Sequence, residues 1–288
     1  MNGVRLALLG ACGVGVYSLW EPHRLRLVER QVPVSPASPA LTVLHVSDTH
    51  LSGGNGHLRS WLARLPERLG LVPDLVLATG DLIDTNEGIG PAIDVLGLLE
   101  ARLGRFYVLG SHDYYVASFT GYTKYLKRDR QPRRAKAANT AELEAGLVSS
   151  GWEPLTNRST VIDTAQGRIR VSGVDDPYLG RHRTAHIERR ADERCAIALV
   201  HSPDVVSEWM LSGFDLVVGG HTHGGQIAVP GWGALVTNST LPTALASGLH
   251  RIGGGWLHVS PGLGHGRYAP VRFCSPPEAT LLRLTPVS

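Results

Sequence analysis

The sequence predicts an α/β fold, and three observations carry that prediction. Beyond residue 40, short apolar runs alternate with helical patterns, as they do in βαβ units. Motifs rich in Asp and His begin where apolar runs end, and the steps from Asp48 to Asp81 and from Asp81 to His112 are each about one βαβ unit long. Glycine (34) and proline (18) are abundant, which suits many tight strand-to-loop junctions.

Taken in order, Leu41–Ser47 reads as a strand and His57–Leu69 as a helix. Leu75–Ala78 is strand-like, Ala92–Leu103 helical and Phe106–Leu109 strand-like. Residues 140–150 read as a helix, with Asn139 and Glu142 in capping-box spacing. Thr160–Asp163, Arg168–Ser172, Ala196–Val200 and Leu216–Val218 read as further strands, and Ile227–Val229, Leu257–Ser260 and Thr280–Leu284 complete the set. The chain shows no internal repeat.

Before these elements, Leu6 to Trp20 is an uncharged, largely apolar run of 15 residues, somewhat short of a spanning helix. It lacks a small-residue cleavage site ahead of Glu21-Pro22-His23-Arg24. Residues 1–30 therefore read as an uncleaved membrane anchor, with a signal peptide and export as the alternative. Arg24, Arg26 and Arg30 follow the run, against Arg5 and the amino terminus before it, a bias that favours the cytoplasmic face for the rest of the chain. Residues 31–40 (QVPVSPASPA) read as a linker, so the folded domain is expected to span 41–288.

At 43% hydrophobic and 18% charged, the chain has the composition of a folded domain. Its net charge of +3 is weak evidence for an anionic partner. Cys12, Cys195 and Cys274 have neither disulfide nor metal-ligand spacing, and the last two sit in apolar runs as expected of buried thiols. Lys124 to Lys136 carries seven basic residues and one acid. A solvated surface excursion is the plainer reading of it, and contact with anionic lipid headgroups the sharper one. Only Tyr122 and Tyr125 accompany it, too few for base stacking, so no nucleic-acid partner is expected.

Five motifs carry the chemistry. They are Asp48-Thr49-His50, Gly80-Asp81-Leu82-Ile83-Asp84, Gly110-Ser111-His112-Asp113, His201-Ser202-Pro203 and Gly220-His221-Thr222-His223-Gly224-Gly225, each directly after a strand-like run. Parallel strands deliver such residues to one edge of a sheet, where α/β proteins bind ligands. Carboxylates and imidazoles suit divalent cations such as Mn, Fe, Zn or Ni. Two cations about 3.5–4 Å apart can clamp the oxygens of a displacement at phosphorus. Asp81 is the candidate to bridge them. Singly, each motif has a plain explanation: a strand-end turn, or a hydrogen-bonded core histidine at His201. All five in this order do not.

That order resembles the calcineurin-like metallophosphoesterases, and GGHTHGGQIAVPG with the closing VSPGLG…PVRF…PEATLLRL is similar to their membrane-associated bacterial phosphodiesterase-like branch. The resemblance spans Leu41 to the C-terminus. It implies a two-sheet β-sandwich flanked by helices (αββα), with a dinuclear site at one end. It places Asp48, His50 and His223 on a first metal, Asp81 between the two, and His201 and His221 on the second. His112 falls at the proton donor's position, with Asp84 hydrogen-bonded to it. The reaction implied is hydrolysis of a phosphate ester by a hydroxide shared between the metals, with a lipid-linked or small phosphodiester as the expected substrate.

Two positions depart from the pattern. Ser111 stands where the family has a metal-binding Asn, so the second metal is expected to bind more weakly or through water. Thr85 stands where many relatives have an Arg, which removes a phosphate-gripping cation. Ser111 also lends weight to a rival reading, a non-catalytic metal-containing binding protein at the membrane surface. Retention of His112 and Asp84 argues against that rival. A nuclease is the third reading.

Overall fold

The apolar runs become strands because their side chains alternate between two separate cores. Leu75 and Leu77 enter one core while Val76 and Ala78 enter the other, and Phe106 and Val108 alternate with Tyr107 and Leu109 in the same way. Strands buried on both faces read as continuous apolar runs. The computed structural model describes residues 12–117, 136–185 and 187–287.

One six-stranded sheet runs in the order β1 (Arg26–Val34), β14 (Glu278–Pro286), β2 (Leu41–Val46), β3 (Leu75–Thr79), β4 (Gly104–Val108) and β5 (Glu153–Pro154). Strands β2 to β5 are parallel, and β14 is antiparallel to β2. The other six-stranded sheet runs β12 (Gly248–Ile252), β13 (Gly255–Val259), β9 (Leu216–Gly219), β8 (Glu193–Leu199), β7 (Gly167–Gly173) and β6 (Arg158–Thr164). It is parallel from β13 to β7 and antiparallel at both edges. A short hairpin, β10 (Ala228–Val229) with β11 (Gly233–Ala234), stands apart from both.

The sheets face each other across a core that includes Val43, Leu77, Val108, Val171, Ile197 and Val218. Helices Gly56–Ala63, Ile89–Gly97 and Thr140–Ser149 cover the outside of the first sheet through Leu62, Leu96 and Leu147. Trp209, on the helix Val206–Leu211, covers the outside of the second. Fully burying each such side chain contributes roughly 1.5–3 kcal/mol. The architecture is the αββα sandwich expected from the resemblance.

The structure corrects several local expectations. Residues 31–34, read as linker, and 26–30, read as part of the anchor segment, form β1, which pairs in parallel with β14 from Arg26↔Glu278 to Val34↔Pro286. Pro33 is tolerated because β1 is an edge strand, where its missing N–H breaks no inner ladder. Its carbonyl accepts from Trp256 Nε1 at 2.7 Å, and Val32 and Val34 are buried between the sheets. The folded unit therefore begins before Leu41.

The expected helix 57–69 breaks at Arg64, because Pro66 lies in the first turn of a second helix, Leu65–Leu69. The expected helix 92–103 runs instead from Ile89 to Gly97, and Arg105 Nη1 donates to the Gly97 and Leu99 carbonyls where it ends. The strand expected at Ile227–Val229 is confined to the small hairpin. Cys195 is buried as expected, but Cys274 is exposed. Of the basic segment, all but Lys136 lies outside the described residues. Residues 12–20 are helical, and among the described residues no helix is long and apolar enough to cross a membrane.

Candidate metal centre

Five loops leave the carboxyl ends of β2, β3, β4, β8 and β9 and meet at one end of the sandwich. The backbone is forced to deliver these side chains. Asp48, His50, Asp81, His221 and His223 all have positive φ, between 43° and 69°. Non-glycine residues rarely adopt that region, and such strain gathers at functional sites. Gly110 is required for a different reason, since a Cβ there would collide with the Asp81 carboxylate and crowd His201.

Three groups of ligand atoms converge, each within 4.8 Å: Asp48, His50 and His223; His50, Asp81 and His112; and Asp48, Asp81 and His201. The groups share Asp48, His50 and Asp81, so they form one connected set able to hold metal. Asp81 Oδ2 lies 3.4 Å from His201 Nε2 and 3.7 Å from His50 Nε2, and its Oδ1 accepts from the His112 main-chain N–H at 2.8 Å. His221 joins through Nδ1, 3.2 Å from His201 Nε2, and its own N–H reaches both Asp48 oxygens at 3.1 and 3.2 Å. His50 Nε2 and His223 Nε2 are 3.1 Å apart. Imidazole nitrogens facing each other in this way suit a shared cation.

The surroundings of these ligands fit a metal as well. His201 Nδ1 lies 2.7 Å from the Thr79 carbonyl, which can only accept, so Nδ1 carries a proton and Nε2 is left as the candidate ligand atom. His50 Nδ1 is held by Asp84 at 3.3 Å, which turns its Nε2 inward. His221 Nε2 is a buried nitrogen with no hydrogen-bond partner among the described residues.

Electrostatics point the same way. Burial raises Asp48 above the usual carboxylate range. Burial would also raise Asp81, but His201 and His112 hold it well below that range. Burial opposes charge on His201, yet Asp81 and Asp48 push its pKa well above normal. Two further buried carboxyls, Asp113 and Asp176, are pushed up to about 7 by burial and the charge of Asp81. A cation entering would displace protons from the histidines and neutralise this acidic cluster.

Every expected site residue in these motifs lies at this end of the sandwich. Ser111 is buried and opens the helix Ser111–Tyr114. Asp84 does more than expected, because it sits 3.2 Å from His112 Nδ1 as well as 3.3 Å from His50, and also accepts from the Arg267 N–H at 3.1 Å. His112 is opposed by burial, but Asp81 and Asp84 raise its pKa to about 9.

Sequence reasoning missed two supports. Asp113 ties the third motif to the second, accepting from the Leu82, Ile83 and Gly110 N–H groups. Arg272, wholly buried, donates to the Ser275, Gly262 and Gly264 carbonyls and meets His223 Nδ1 at 3.2 Å. Its only sequence signal is a cation inside the run Pro270-Val271-Arg272-Phe273.

Comparison with known proteins agrees with this geometry. Residues 41–225 match the calcineurin-like phosphoesterase family. The uncharacterized metallophosphoesterase YkuE of Bacillus subtilis is 28% identical, over 96% of this chain and 92% of that protein. Phosphodiesterase YaeI of Escherichia coli is 28% identical over 74% of this chain and 70% of that protein. A transmembrane protein with metallophosphoesterase domain from Danio rerio is 28% identical over 96% of this chain and 61% of that protein. The strand-end Asp and His residues thus lie in a domain shared with these proteins, and the chain belongs to the calcineurin-like phosphoesterases, metal-dependent hydrolases of phosphate esters.

Proposed function

We propose that the protein is a dinuclear phosphodiesterase acting on a lipid-linked or small phosphodiester. The observation that carries the reading is the Asp81 carboxylate, whose Oδ2 lies close to both His201 and His50. Asp48, His50 and His223 would hold one metal, and His201 and His221 the other. Ser111 would ligate the second directly or through water. The metals would supply an activated water and neutralise charge on the phosphoryl oxygens.

The chain's own residues do the rest. His112, kept charged by Asp81 and Asp84, stands ready to give a proton to the leaving oxygen. Asp84 holds His50 and His112 together, so one carboxylate sets both a metal ligand and the proton donor. The diester preference is supported by the likeness to phosphodiesterase YaeI and by Thr85, which leaves no arginine at that position to grip a dianionic monoester. A membrane-borne substrate is supported by the apolar run Leu6–Trp20 and by the likeness to the transmembrane protein.

The test is hydrolysis of phosphomonoesters, diesters and phospholipids by metal-stripped protein reloaded with Mn, Fe, Zn or Ni. Diesters should turn over faster than monoesters with at least one metal. Faster monoester turnover with every metal would reject the diester assignment, and no turnover at all would favour a binding protein.

A further inference from the structure

The hairpin that follows the histidine loop is built outward. Trp232 at its tip is 87% exposed, Val236 73%, and Ile227, Val229 and Leu235 are exposed as well. A contiguous apolar surface of this kind on a folded domain marks a contact with something apolar. The helix of residues 12–20 shows the same character, with Val16 70% exposed and Leu19 and Trp20 also in solvent.

These two features are joined. Ile227 bridges Phe273, and the Ala228 N–H donates to the Phe273 carbonyl at 2.8 Å. The Phe273 ring meets Tyr17 edge-on at 5.6 Å, and the Arg272 N–H donates to the Ser18 carbonyl at 2.9 Å. The segment 272–273 therefore clamps the end of the helix to the base of the hairpin. The hairpin is in turn locked to the metal loop. A Cβ on Gly225, whose φ is +76°, would collide with Ala234 and crowd the Val236 carbonyl, so the glycine lets the hairpin fold back onto the histidine segment.

We propose that the hairpin 227–236 and the helix 12–20 form one lipid-docking face, which seats the histidine loop at a bilayer surface. The proposal extends the membrane-borne substrate reading given above. Three features select lipid over a protein partner. The tip is led by a tryptophan 87% exposed, a side chain that enters a fluid phase without needing a complementary groove. The apolar sequence continues without charge from residue 12 back to Leu6. An arginine follows the helix beside an aromatic ring, Arg24 5.0 Å from the Trp20 ring, the pairing suited to a headgroup layer. A substrate with its phosphodiester at the headgroup level would then reach the metals without leaving the bilayer.

Tryptophan fluorescence of the full chain on phosphatidylcholine/phosphatidylglycerol vesicles with brominated acyl chains tests this. Trp61, Trp152 and Trp209 are buried and Trp256 is half-buried with its Nε1 on the Pro33 carbonyl, so Trp20 and Trp232 are the exposed reporters. The expected result is quenching that loses one component in Trp232→Phe and another in Trp20→Phe, with hydrolysis of a soluble chromogenic diester unchanged in both. Quenching unaffected by Trp232→Phe but abolished by Trp20→Phe would overturn the docking hairpin and leave the membrane reading standing. No quenching in the wild type would overturn both. Shielding of Trp232 from acrylamide that grows with protein concentration, without vesicles, would assign the face to a second copy of the chain instead. Loss of soluble-diester hydrolysis in the metal-loaded wild type would count against the phosphodiesterase reading alone.

Discussion

His45 Nδ1 lies 2.9 Å from His258 Nδ1, a buried contact that links the two sheets behind the metal centre. His45 Nε2 meets Thr79 Oγ1 at 2.8 Å, Thr79 donates to Ser47 at 2.6 Å, and Ser47 donates to Asp48. One proton arrangement satisfies the chain: His258 Nδ1–H donates to His45, whose Nε2–H donates to Thr79. His258 Nε2 is then a lone pair, and it has no partner among the described residues. Burial disfavours charge on both rings, and the chain ends on a candidate metal ligand.

Acid should therefore weaken the fold through this pair. Burial, with a smaller effect from the charge of Arg30, lowers His258 to about 3, and burial also lowers His45. The unfolded chain takes up protons below about 6.5 that the native histidines refuse, so stability is intact above that pH and falls below it. Each such histidine removes about 1.4 kcal/mol per pH unit, or about 2 kcal/mol between pH 6.5 and 5. Urea unfolding of His258→Leu should show a shallower loss over that interval than the wild type. Equal slopes would mean that His258 is protonated in the native protein.

Asp81 Oδ2 lies close to both His201 and His50, so Asp81→Ala should lose most of both metals. Elemental analysis of the purified protein checks this. Unchanged metal content would remove Asp81 from the bridging role, and loss of a single metal would leave Asp48, which also belongs to two ligand groups, as the bridge.

Replacing His112 separates proton donation from metal binding. His112→Ala should slow esters of poor leaving groups by roughly 10²-fold or more, the range of general acid catalysis, and nitrophenyl esters much less. Metal content should stay the same. His112 also lies in a ligand group with His50 and Asp81, so a variant that loses metal would reassign it as a ligand.

Ser111→Asn tests the departure at the end of β4. A carboxamide oxygen is the stronger neutral donor, so calorimetric titration should show a tighter second metal and half-maximal activity at lower metal concentration. The maximal rate should change less, because Asp81 and His112 are untouched. Gly110 packs directly on Asp81, which limits how far this loop can retreat. Equal or weaker affinity would show that the loop is built around serine.

Much of this was legible locally. Apolar runs ending in Asp- and His-bearing motifs identified β2, β3, β4, β8 and β9 and the loops that follow them. Each depends on a few consecutive residues: a stretch that desolvates as a strand, then glycines and ligands that leave it. What only the tertiary structure decided involves residues distant in sequence. Residues 31–34 become strand because β14, some 250 positions later, offers a ladder and Trp256 takes the Pro33 carbonyl. Arg272 becomes a support for His223, and Asp84 serves two histidines, only once separate loops converge. The left-handed backbone at five ligand candidates is held by the packing around them. Local hydrophobicity and turn chemistry are written along the chain, whereas long-range pairing, desolvation and the mutual charge of buried groups arise only when distant segments share one low-dielectric space.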